Sequence, residues 1–350
     1  MNFKIINENQ IIIIFLIIYS CSPEMETVPD FINIITSSES VIPLEYDFQE
    51  PDTENDGLSS PDPKNVIDSL DLVIPVEYGF QEFNIEHDGF TRSYNIFVPN
   101  SYNTLEPVPL LLCLHGYGSN QDVIMEYTDF NAIASSENFI VIYPQGSLLN
   151  GISHWNVGGW TSDSLVDDIG FIDLIIDTVS DSYSINEDRI YSTGMSNGGY
   201  MSFLLACQLS EKIAAIASVT GSMTPEMFNS CEPQRAISIL QMHGTSDGVV
   251  PYEGNPQWTI GINDIMNYWK THNNCNVSST IVDLPDIYTF DNSSVQEITF
   301  SNGDNNTMVK HYKVNGGEHD WFGVWGNRDI NASELIWEFF SMYNIKGSIN

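Results

Sequence analysis

Ser196 is the residue whose setting most clearly indicates nucleophilic chemistry. It lies in GMSNGG (194–199), between a predicted strand that ends at Thr193 and a predicted helix that begins at Gly199. A tight strand-to-helix turn needs small neighbours and exposes the serine at the helix N-terminus, where the helix dipole favours an attacking alkoxide. The segment therefore predicts a nucleophile, with a plain helix N-cap as the alternative.

A second segment matches the same G-x-S-x-G pattern but has unsuitable surroundings. This segment is GTSDG (244–248), which contains Ser246 and is followed by Val249, Val250 and Pro251. The residue before a proline avoids the helical region, so no helix can begin cleanly there. We expect Ser246 to have no catalytic role.

His319 is the best candidate for the base that a serine nucleophile needs. It lies in NGGEHDW (315–321), directly after the last predicted strand, and its glycine-rich loop allows the side chain to reach across the sheet. The other histidines lie in a strand, at a strand end or in a hairpin turn, or lack such a loop. A surface histidine without a task is the alternative.

Asp247 is the predicted orienting acid. It follows the predicted strand 237–242. Ser196, Asp247 and His319 occur along the chain in the order nucleophile, acid, base, which is one of the orders found in catalytic triads of serine, aspartate and histidine. Asp320 is the rival, but a neighbour in sequence is poorly placed to reach the ring of His319. Because the chain has 47 Asp and Glu residues, a solvated carboxylate is the alternative for Asp247.

The donors of an oxyanion hole should follow an early strand. The apolar run 110–114 ends in HGYGSN (115–120), whose glycines allow backbone N–H groups to approach a carbonyl oxygen closely. We assign the two donors to the backbone N–H groups of Tyr117 and Asn197. A glycine turn without a catalytic task is the alternative.

The elements that position these residues alternate between strands and helices. A hairpin is predicted over 83–98 across Asp88 and Gly89. Continuous apolar strands between helices predict the α/β class, with a mostly parallel central sheet that carries helices on both faces and binds ligands at its carboxyl edge. The predicted strands are 110–114, 139–143, 189–193, 213–219, 237–242 and 309–314, and the predicted helices are 168–182, 199–208, 263–271 and 332–343.

Several motifs together resemble one family. GMSNGG, the Trp155-Asn156 segment, VDDIGF (166–171), HGTSD (243–247) and DGFTRSY (88–94) are similar to extracellular polyhydroxybutyrate depolymerases and feruloyl esterases, the carbohydrate-esterase-like branch of the α/β-hydrolases. The resemblance covers residues 80–345 and implies an α/β-hydrolase fold and serine ester hydrolysis. Where that family usually has GGGH, this chain has GGEH (316–319), and Asp320 and Phe322 stand where Thr and Pro are usual. These departures affect the expected shape of the acyl pocket and leave the assignment of His319 as the base unchanged.

The cysteines and aromatic residues give further expectations. Cys207 ends the predicted helix 199–208, and Cys231 lies in the turn-rich segment after the next strand. A disulfide is predicted between them, in agreement with the resemblance. Cys113, inside an apolar strand, is predicted to be a buried free thiol. Trp155 and Trp321 are candidates for a substrate wall and could equally be core residues.

The predicted function is extracellular hydrolysis of carboxylic esters through an acyl-enzyme, on polymer-linked or on hydroxyacyl or aromatic esters. The alternatives are a serine peptidase on the same fold, which the absence of propeller repeats disfavours, and a catalytically inactive binding protein. No cofactor or metal is implied, because His and Cys are not clustered at ligand spacing. A net charge of -36 argues against a nucleic-acid partner. The oligomeric state is left open.

The first 75 residues are expected to lie outside the catalytic domain, which is predicted over 76–346. Residues 1–21 resemble a lipoprotein signal peptide, with an apolar run (11–18) too short to span a bilayer and Cys21 as the predicted lipidation site. Plain secretion is the alternative. The enzyme is thus expected to be secreted or anchored on a bacterial envelope, with membrane contact only through the lipid.

Residues 22–75 predict an acidic disordered tether, since they hold thirteen acidic residues against one lysine. Within it, VIPLEYDFQE (41–50) is repeated as VIPVEYGFQE (73–82), a partial duplication that continues into the first predicted strand.

Overall fold

The computed structural model of the protein describes residues 77–349. The predicted signal peptide, Cys21, the tether and the first repeat copy lie outside these residues. The strands of the described part are β1 (Gly79–His87), β2 (Phe90–Val98), β3 (Val108–Leu114), β4 (Ile140–Pro144), β5 (Ser147–Leu149), β6 (Ile152–His154), β7 (Ile185–Met195), β8 (Ala215–Val219), β9 (Ser238–Gly244), β10 (Thr280–Asp283), β11 (Ser294–Phe300), β12 (Val309–Asn315), β13 (Tyr343–Asn344) and β14 (Gly347–Ser348). The helices are α1 (Gln121–Thr128), α2 (Phe130–Glu137), α3 (Asp168–Ser182), α4 (Asn197–Gln208), α5 (Pro225–Ser230), α6 (Ile262–His272) and α7 (Ala332–Ser341).

One ten-stranded sheet forms the centre of the described part. Its strand order is β1-β2-β4-β3-β7-β8-β9-β12-β11-β10. The six strands from β4 to β12 pair in parallel, whereas β1, β2, β11 and β10 add antiparallel edges. The predicted α/β class with a mostly parallel sheet is confirmed. The six strands predicted from apolar runs are the six parallel ones.

Strand β3 shows why these runs form central strands. All seven residues of VPLLLCL are buried. Leu110, Leu112 and Leu114 face a core built with α3, α4 and α6, and Leu111 and Cys113 face a second core built with α1, α2 and α7. A strand covered by helices on both faces has no solvent side, so it lacks the polar alternation of a half-exposed strand.

The peripheral elements differ more from the sequence prediction. The opening hairpin is longer than predicted, with nine residues in each of β1 and β2. Helices α1, α2 and α5 and strands β10 and β11 were not predicted, and the last helix ends at Ser341 because the chain re-enters a short strand at Tyr343. These elements are short or half-exposed, so their apolar patterns are weak.

Strand β10 is the outer edge of the sheet next to β11. All four of its residues are exposed, including Ile281 and Val282.

None of the helices within residues 77–349 has the length and apolar character needed to cross a bilayer.

A disulfide joins Cys207 at the end of α4 to Cys231 just after α5, with the two Cα atoms 5.0 Å apart. Cys113 and Cys275 are buried free thiols. The bridge connects the helix that follows Ser196 to the segment beyond β8, across a sequence separation of 24 residues.

We expect the Cys207→Ser/Cys231→Ser double variant to lose about 3 kcal/mol of unfolding free energy, because the bridge restricts the unfolded chain. Urea unfolding with and without reductant measures this. Reduced wild type should approach the double variant, and the double variant should not respond to reductant. Equal unfolding midpoints for the oxidised wild type and the double variant would contradict the expectation.

The burial of His311 in β12 predicts that stability depends on pH. Its ring is buried and Nδ1 lies 3.1 Å from the carbonyl oxygen of Gln241. Burial lowers the pKa of His311 to about 3. An unfolded histidine takes up a proton near pH 6.5, whereas the folded one does so only near pH 3, so the unfolded state binds more protons between these values. The free energy of unfolding should therefore fall as the pH falls below about 6.5.

His311→Gln removes this titration while keeping a hydrogen-bonding side chain. Between pH 4 and 6, we expect the slope of the unfolding free energy against pH to become smaller by about 1.4 kcal/mol per pH unit. Urea unfolding at several pH values measures the slope. An unchanged slope in the variant would show that His311 is not the group responsible.

Candidate active site

Ser196 stands on a sharp turn between β7 and α4, residues 194–199, which we call the elbow. Its backbone has φ 55° and ψ -119°, a sparsely populated region for a residue with a side chain, which costs on the order of 1–3 kcal/mol. The Ser196 N–H donates to the carbonyl oxygen of Val219 at 2.8 Å, and its carbonyl accepts from the N–H of Tyr200 at 3.0 Å. These bonds to β8 and α4 hold the strained backbone in place.

Two glycines of the elbow are required by the close approach of β3. A Cβ at Gly194 would lie 2.5 Å from the carbonyl oxygen of Leu114, and a Cβ at Gly198 would overlap that oxygen. The end of β3 therefore packs directly against the elbow backbone. The glycine spacing in the sequence is a steric requirement of this packing.

Ser246 has a different setting, as its sequence context predicts. It is exposed in the turn after β9, and its backbone N–H donates to the carbonyl oxygen of Gly317. The next helix, α6, begins only at Ile262. Ser246 therefore lacks both the strand-to-helix turn and the helix N-terminus that Ser196 has.

His319 pairs with Asp247 and not with Asp320. Its Nδ1 lies 2.7 Å from Oδ2 of Asp247. Nδ1 therefore carries the proton, which leaves the lone pair of Nε2 free to accept one. Burial and, after it, the charge of Glu318 raise the pKa of Asp320.

Both carboxylate oxygens of Asp247 are hydrogen-bonded. Oδ1 accepts from the backbone N–H groups of Val249 and Val250, each at 2.8 Å. Burial alone would raise the pKa of Asp247, but hydrogen bonds from His243 and His319 outweigh it and hold that pKa well below its ordinary range. Asp247 is therefore a carboxylate that can hold the His319 ring in one tautomer.

His243 is a second histidine on the same carboxylate, and the sequence analysis did not identify it. Its Nε2 lies 3.3 Å from Oδ2 of Asp247 and 2.8 Å from the carbonyl oxygen of Val250. Its Nδ1 lies 3.0 Å from Nε2 of Gln241, which can only donate. The Nε2 of His243 is thus the protonated nitrogen. The HGTSD segment, with a histidine four residues before the acid, was the available signal.

The backbone N–H groups of Tyr117 and Asn197 are unpaired next to the elbow. Among the hydrogen bonds of residues 77–349, neither N–H has an acceptor. A Cβ at Gly116 would lie 3.5 Å from the Cβ of Ser196, so the loop that carries Tyr117 adjoins the serine directly. Two free donors at this place can stabilise a developing oxyanion.

Of the two alternatives for Trp155 and Trp321, a substrate wall or the core, the structure supports the core, because both indoles are fully buried. The exposed rings near the elbow belong to other residues. Tyr117 is 36% exposed and packs edge to face on Trp160, and Trp325 is 45% exposed and packs on Tyr127. Aromatic content in the sequence did not distinguish core rings from surface rings.

Ser196, Asp247 and His319 follow the carboxyl ends of β7, β9 and β12 in the parallel part of the sheet. Asp247 and His319 are hydrogen-bonded to each other. Among residues 77–349, this is the one hydrogen bond of the His319 side chain, so none joins it to Ser196. Bonds between nucleophile and base often tighten only when substrate is bound. Within residues 77–349, no group of three or more His, Cys, Asp or Glu side chains could hold a metal ion.

Comparison with known proteins finds esterases that are similar to this chain. Residues 92–253 match the family model for esterase PHB depolymerases. A bifunctional acetylxylan esterase/xylanase from Neocallimastix patriciarum is 29% identical over 259 residues, which cover 74% of this chain but 34% of that protein. The chain thus spans about a third of the length of that relative. Feruloyl esterase D from Neurospora crassa is 28% identical, and the match covers 73% of this chain and 83% of that protein.

Solved structures share the fold at lower sequence identity. An acetyl xylan esterase from Aspergillus awamori superposes with a TM-score of 0.54 at 13% identity, covering 75% of this chain and 99% of that one. A ferulic acid esterase from Anaeromyces mucronatus superposes with a TM-score of 0.50 at 17% identity, covering 76% and 92%. By the family match and the curated relatives, the chain is similar to esterase PHB depolymerases, acetylxylan esterases and feruloyl esterases, and it has the fold of the α/β-hydrolases.

Proposed function

We propose that this chain hydrolyses carboxylic esters through an acyl-enzyme on Ser196. The observation that carries the proposal is the 2.7 Å bond from His319 Nδ1 to the buried carboxylate of Asp247, at the same sheet edge as the strained elbow. This bond leaves Nε2 as the basic nitrogen. The unpaired N–H groups of Tyr117 and Asn197 supply the electrostatic part.

In the first half-reaction, Oγ of Ser196 attacks the ester carbonyl carbon while Nε2 of His319 takes the hydroxyl proton. Asp247 stabilises the imidazolium that forms. The negative charge on the former carbonyl oxygen is stabilised by the N–H groups of Tyr117 and Asn197. The tetrahedral intermediate then expels the alcohol, which receives the proton from His319, and Ser196 remains acylated.

In the second half-reaction, water attacks the acyl carbon and gives a proton to Nε2 of His319. The same two N–H groups stabilise the second oxyanion. Collapse of this intermediate breaks the bond to Oγ of Ser196, returns the proton from His319 to the serine and releases the carboxylic acid. The free enzyme is restored without a cofactor.

The substrate class we propose is an ester carried by a polymer, or a hydroxyacyl or aromatic ester. The names of the relatives, acetylxylan esterase and feruloyl esterase, support it. The exposed rings of Tyr117 and Trp325 are the aromatic surfaces near the elbow that could contact an aromatic or sugar ring. The strongly negative chain makes a polyanionic polymer a poor substrate.

Ser196→Ala should lower ester turnover by at least about 1,000-fold without loss of folding, because the acyl-enzyme can no longer form. Ser246→Ala is the matched control, since its exposed side chain should leave turnover close to wild type. Initial rates on acetyl, feruloyl and hydroxybutyrate esters measure the effect, and labelling by a fluorophosphonate reports the nucleophile directly. If Ser246→Ala were inactive and Ser196→Ala active, the assignment would be wrong.

The same assays separate the alternatives. Turnover of anilides at rates comparable to esters would indicate a peptidase. Absence of both turnover and labelling in the wild type would indicate a binding protein without catalysis.

We further propose that the enzyme acts outside the cell and is anchored through lipidated Cys21. A polymer substrate cannot enter a cell, and Cys21 directly follows a short apolar run. Full-length wild type should partition with the membrane fraction of a bacterial host, and Cys21→Ser should shift it to the soluble extracellular fraction. Identical partitioning of the two proteins would favour plain secretion.

A further inference from the structure

Trp155 belongs to a motif that the proposed mechanism does not use. Its side chain is fully buried, so it cannot contact substrate. The indole Nε1–H donates to the carbonyl oxygen of His115 at 2.8 Å, and the two rings lie 5.0 Å apart between centroids. Trp155 therefore holds the peptide that opens the loop carrying Tyr117.

His115 continues this chain of contacts to the first N–H donor. The backbone N–H of Gly146 donates to Nε2 of His115 at 2.9 Å, so the ring proton lies on Nδ1. Nδ1 lies 2.8 Å from the carbonyl oxygen of Gly116, which therefore accepts a hydrogen bond from the Nδ1–H group. That oxygen belongs to the same peptide group as the N–H of Tyr117. In a trans peptide the C=O and N–H point in opposite directions, so fixing the oxygen aims the Tyr117 N–H.

Asn197 connects Trp155 to the second N–H donor. Its side-chain oxygen accepts from the backbone N–H of Trp155 at 2.7 Å, and its side-chain nitrogen donates to the carbonyl oxygen of Trp155 at 3.1 Å. Asn197 is the first residue of α4, and its own backbone N–H is the donor beside Ser196. This two-point contact fixes the Asn197 residue against Trp155.

A buried ion pair anchors the Trp155 backbone from the other side. The N–H of Asn156 donates to Oδ2 of Asp168 at 2.7 Å, and Arg92 contacts Oδ1 of Asp168 at 2.7 Å. The peptide between Trp155 and Asn156 is therefore held at its oxygen by Asn197 and at its nitrogen by Asp168. Trp155 is a fixed point to which both donors are attached.

We propose that Trp155 is a positioning residue for the oxyanion hole, acting on the Tyr117 N–H through His115 and on the Asn197 N–H through the Asn197 side chain. The inference rests on the proposed function. It assigns to a buried tryptophan an effect on the transition state, with no part in binding the substrate. Loss of the indole N–H should therefore lower kcat and leave KM nearly unchanged.

Trp155→Phe tests this, because it removes the N–H and keeps an aromatic ring. Trp269→Phe in α6 is the matched control: its indole is equally buried, and its Nε1 has no hydrogen-bond partner. We expect kcat for an acetyl ester to fall about tenfold or more in Trp155→Phe, with KM within twofold of wild type. Trp269→Phe should keep the wild-type kcat.

A trifluoromethyl ketone gives a readout that a merely structural role would not move. Its adduct on the serine carries an oxyanion, so its affinity should weaken in Trp155→Phe in parallel with the fall in kcat. Asn197→Ala, which keeps the backbone N–H and loses the side-chain contact, should show the same two effects. The double variant should lose less than the product of the single losses, because both changes break one connected set of bonds. If Trp155→Phe does not fold, Asn197→Ala alone decides the question on the same criteria.

The proposal is overturned if the decisive variant keeps the wild-type kcat and ketone affinity, if its loss lies in KM alone, or if Trp269→Phe loses as much kcat. A wild type that neither hydrolyses esters nor reacts with a fluorophosphonate would instead overturn the proposed function. An active wild type with an unaffected Trp155→Phe would overturn only the role of Trp155.

Discussion

The contact between the end of β3 and the elbow that carries Ser196 is the constraint on which the candidate site depends. Because Gly194 and Gly198 have no side chains, the carbonyl oxygen of Leu114 can lie directly against the elbow backbone. This contact lies at the carboxyl ends of two neighbouring parallel strands, where Leu114 is the register partner of Gly194. It also brings the loop after Leu114, with the free Tyr117 N–H, beside Ser196. A single methyl group at either glycine would push Ser196 away from the N–H of Tyr117.

The polar side chains of Asp247 and His115 are buried close to this contact, and each is hydrogen-bonded to other groups of the protein. Asp247 receives two backbone N–H groups on one oxygen and two imidazoles on the other. Burial lowers the pKa of His115 to about 4, so its ring stays neutral and can both donate and accept. The interior strengthens such bonds and makes an unpaired group costly, so the network can hold few geometries. A strained backbone at Ser196 can persist only in surroundings of this kind.

The sequence predicted those features whose cause is local. The six parallel strands are continuous apolar runs because helices cover both faces, and the glycines around Ser196 reflect steric contacts within one turn. Several features that depend on packing were not predicted. Trp155 and Trp321 were candidates for a surface wall, yet the core encloses both, since residue type does not report exposure for a large amphipathic ring. His243 reaches Asp247 only because the chain reverses after β9. Strand β11 (SVQEITF) lies near an open sheet edge and mixes polar and apolar residues, so its period is weak.

The open edge formed by β10 has a consequence for how the protein behaves among copies of itself. Within residues 77–349 the outer side of β10 has no strand partner, and with Ile281 and Val282 exposed it is a template on which another chain could add a strand. Neighbouring molecules repel one another strongly, since the chain carries a net charge of -36. That repulsion is screened within about 10 Å at 0.1 M salt and within about 3 Å at 1 M. It also disappears as carboxylates are protonated. The colloidal stability of the protein is thus set by its solvent, and concentrated brine or mild acid brings the sheet edge within reach of its neighbours.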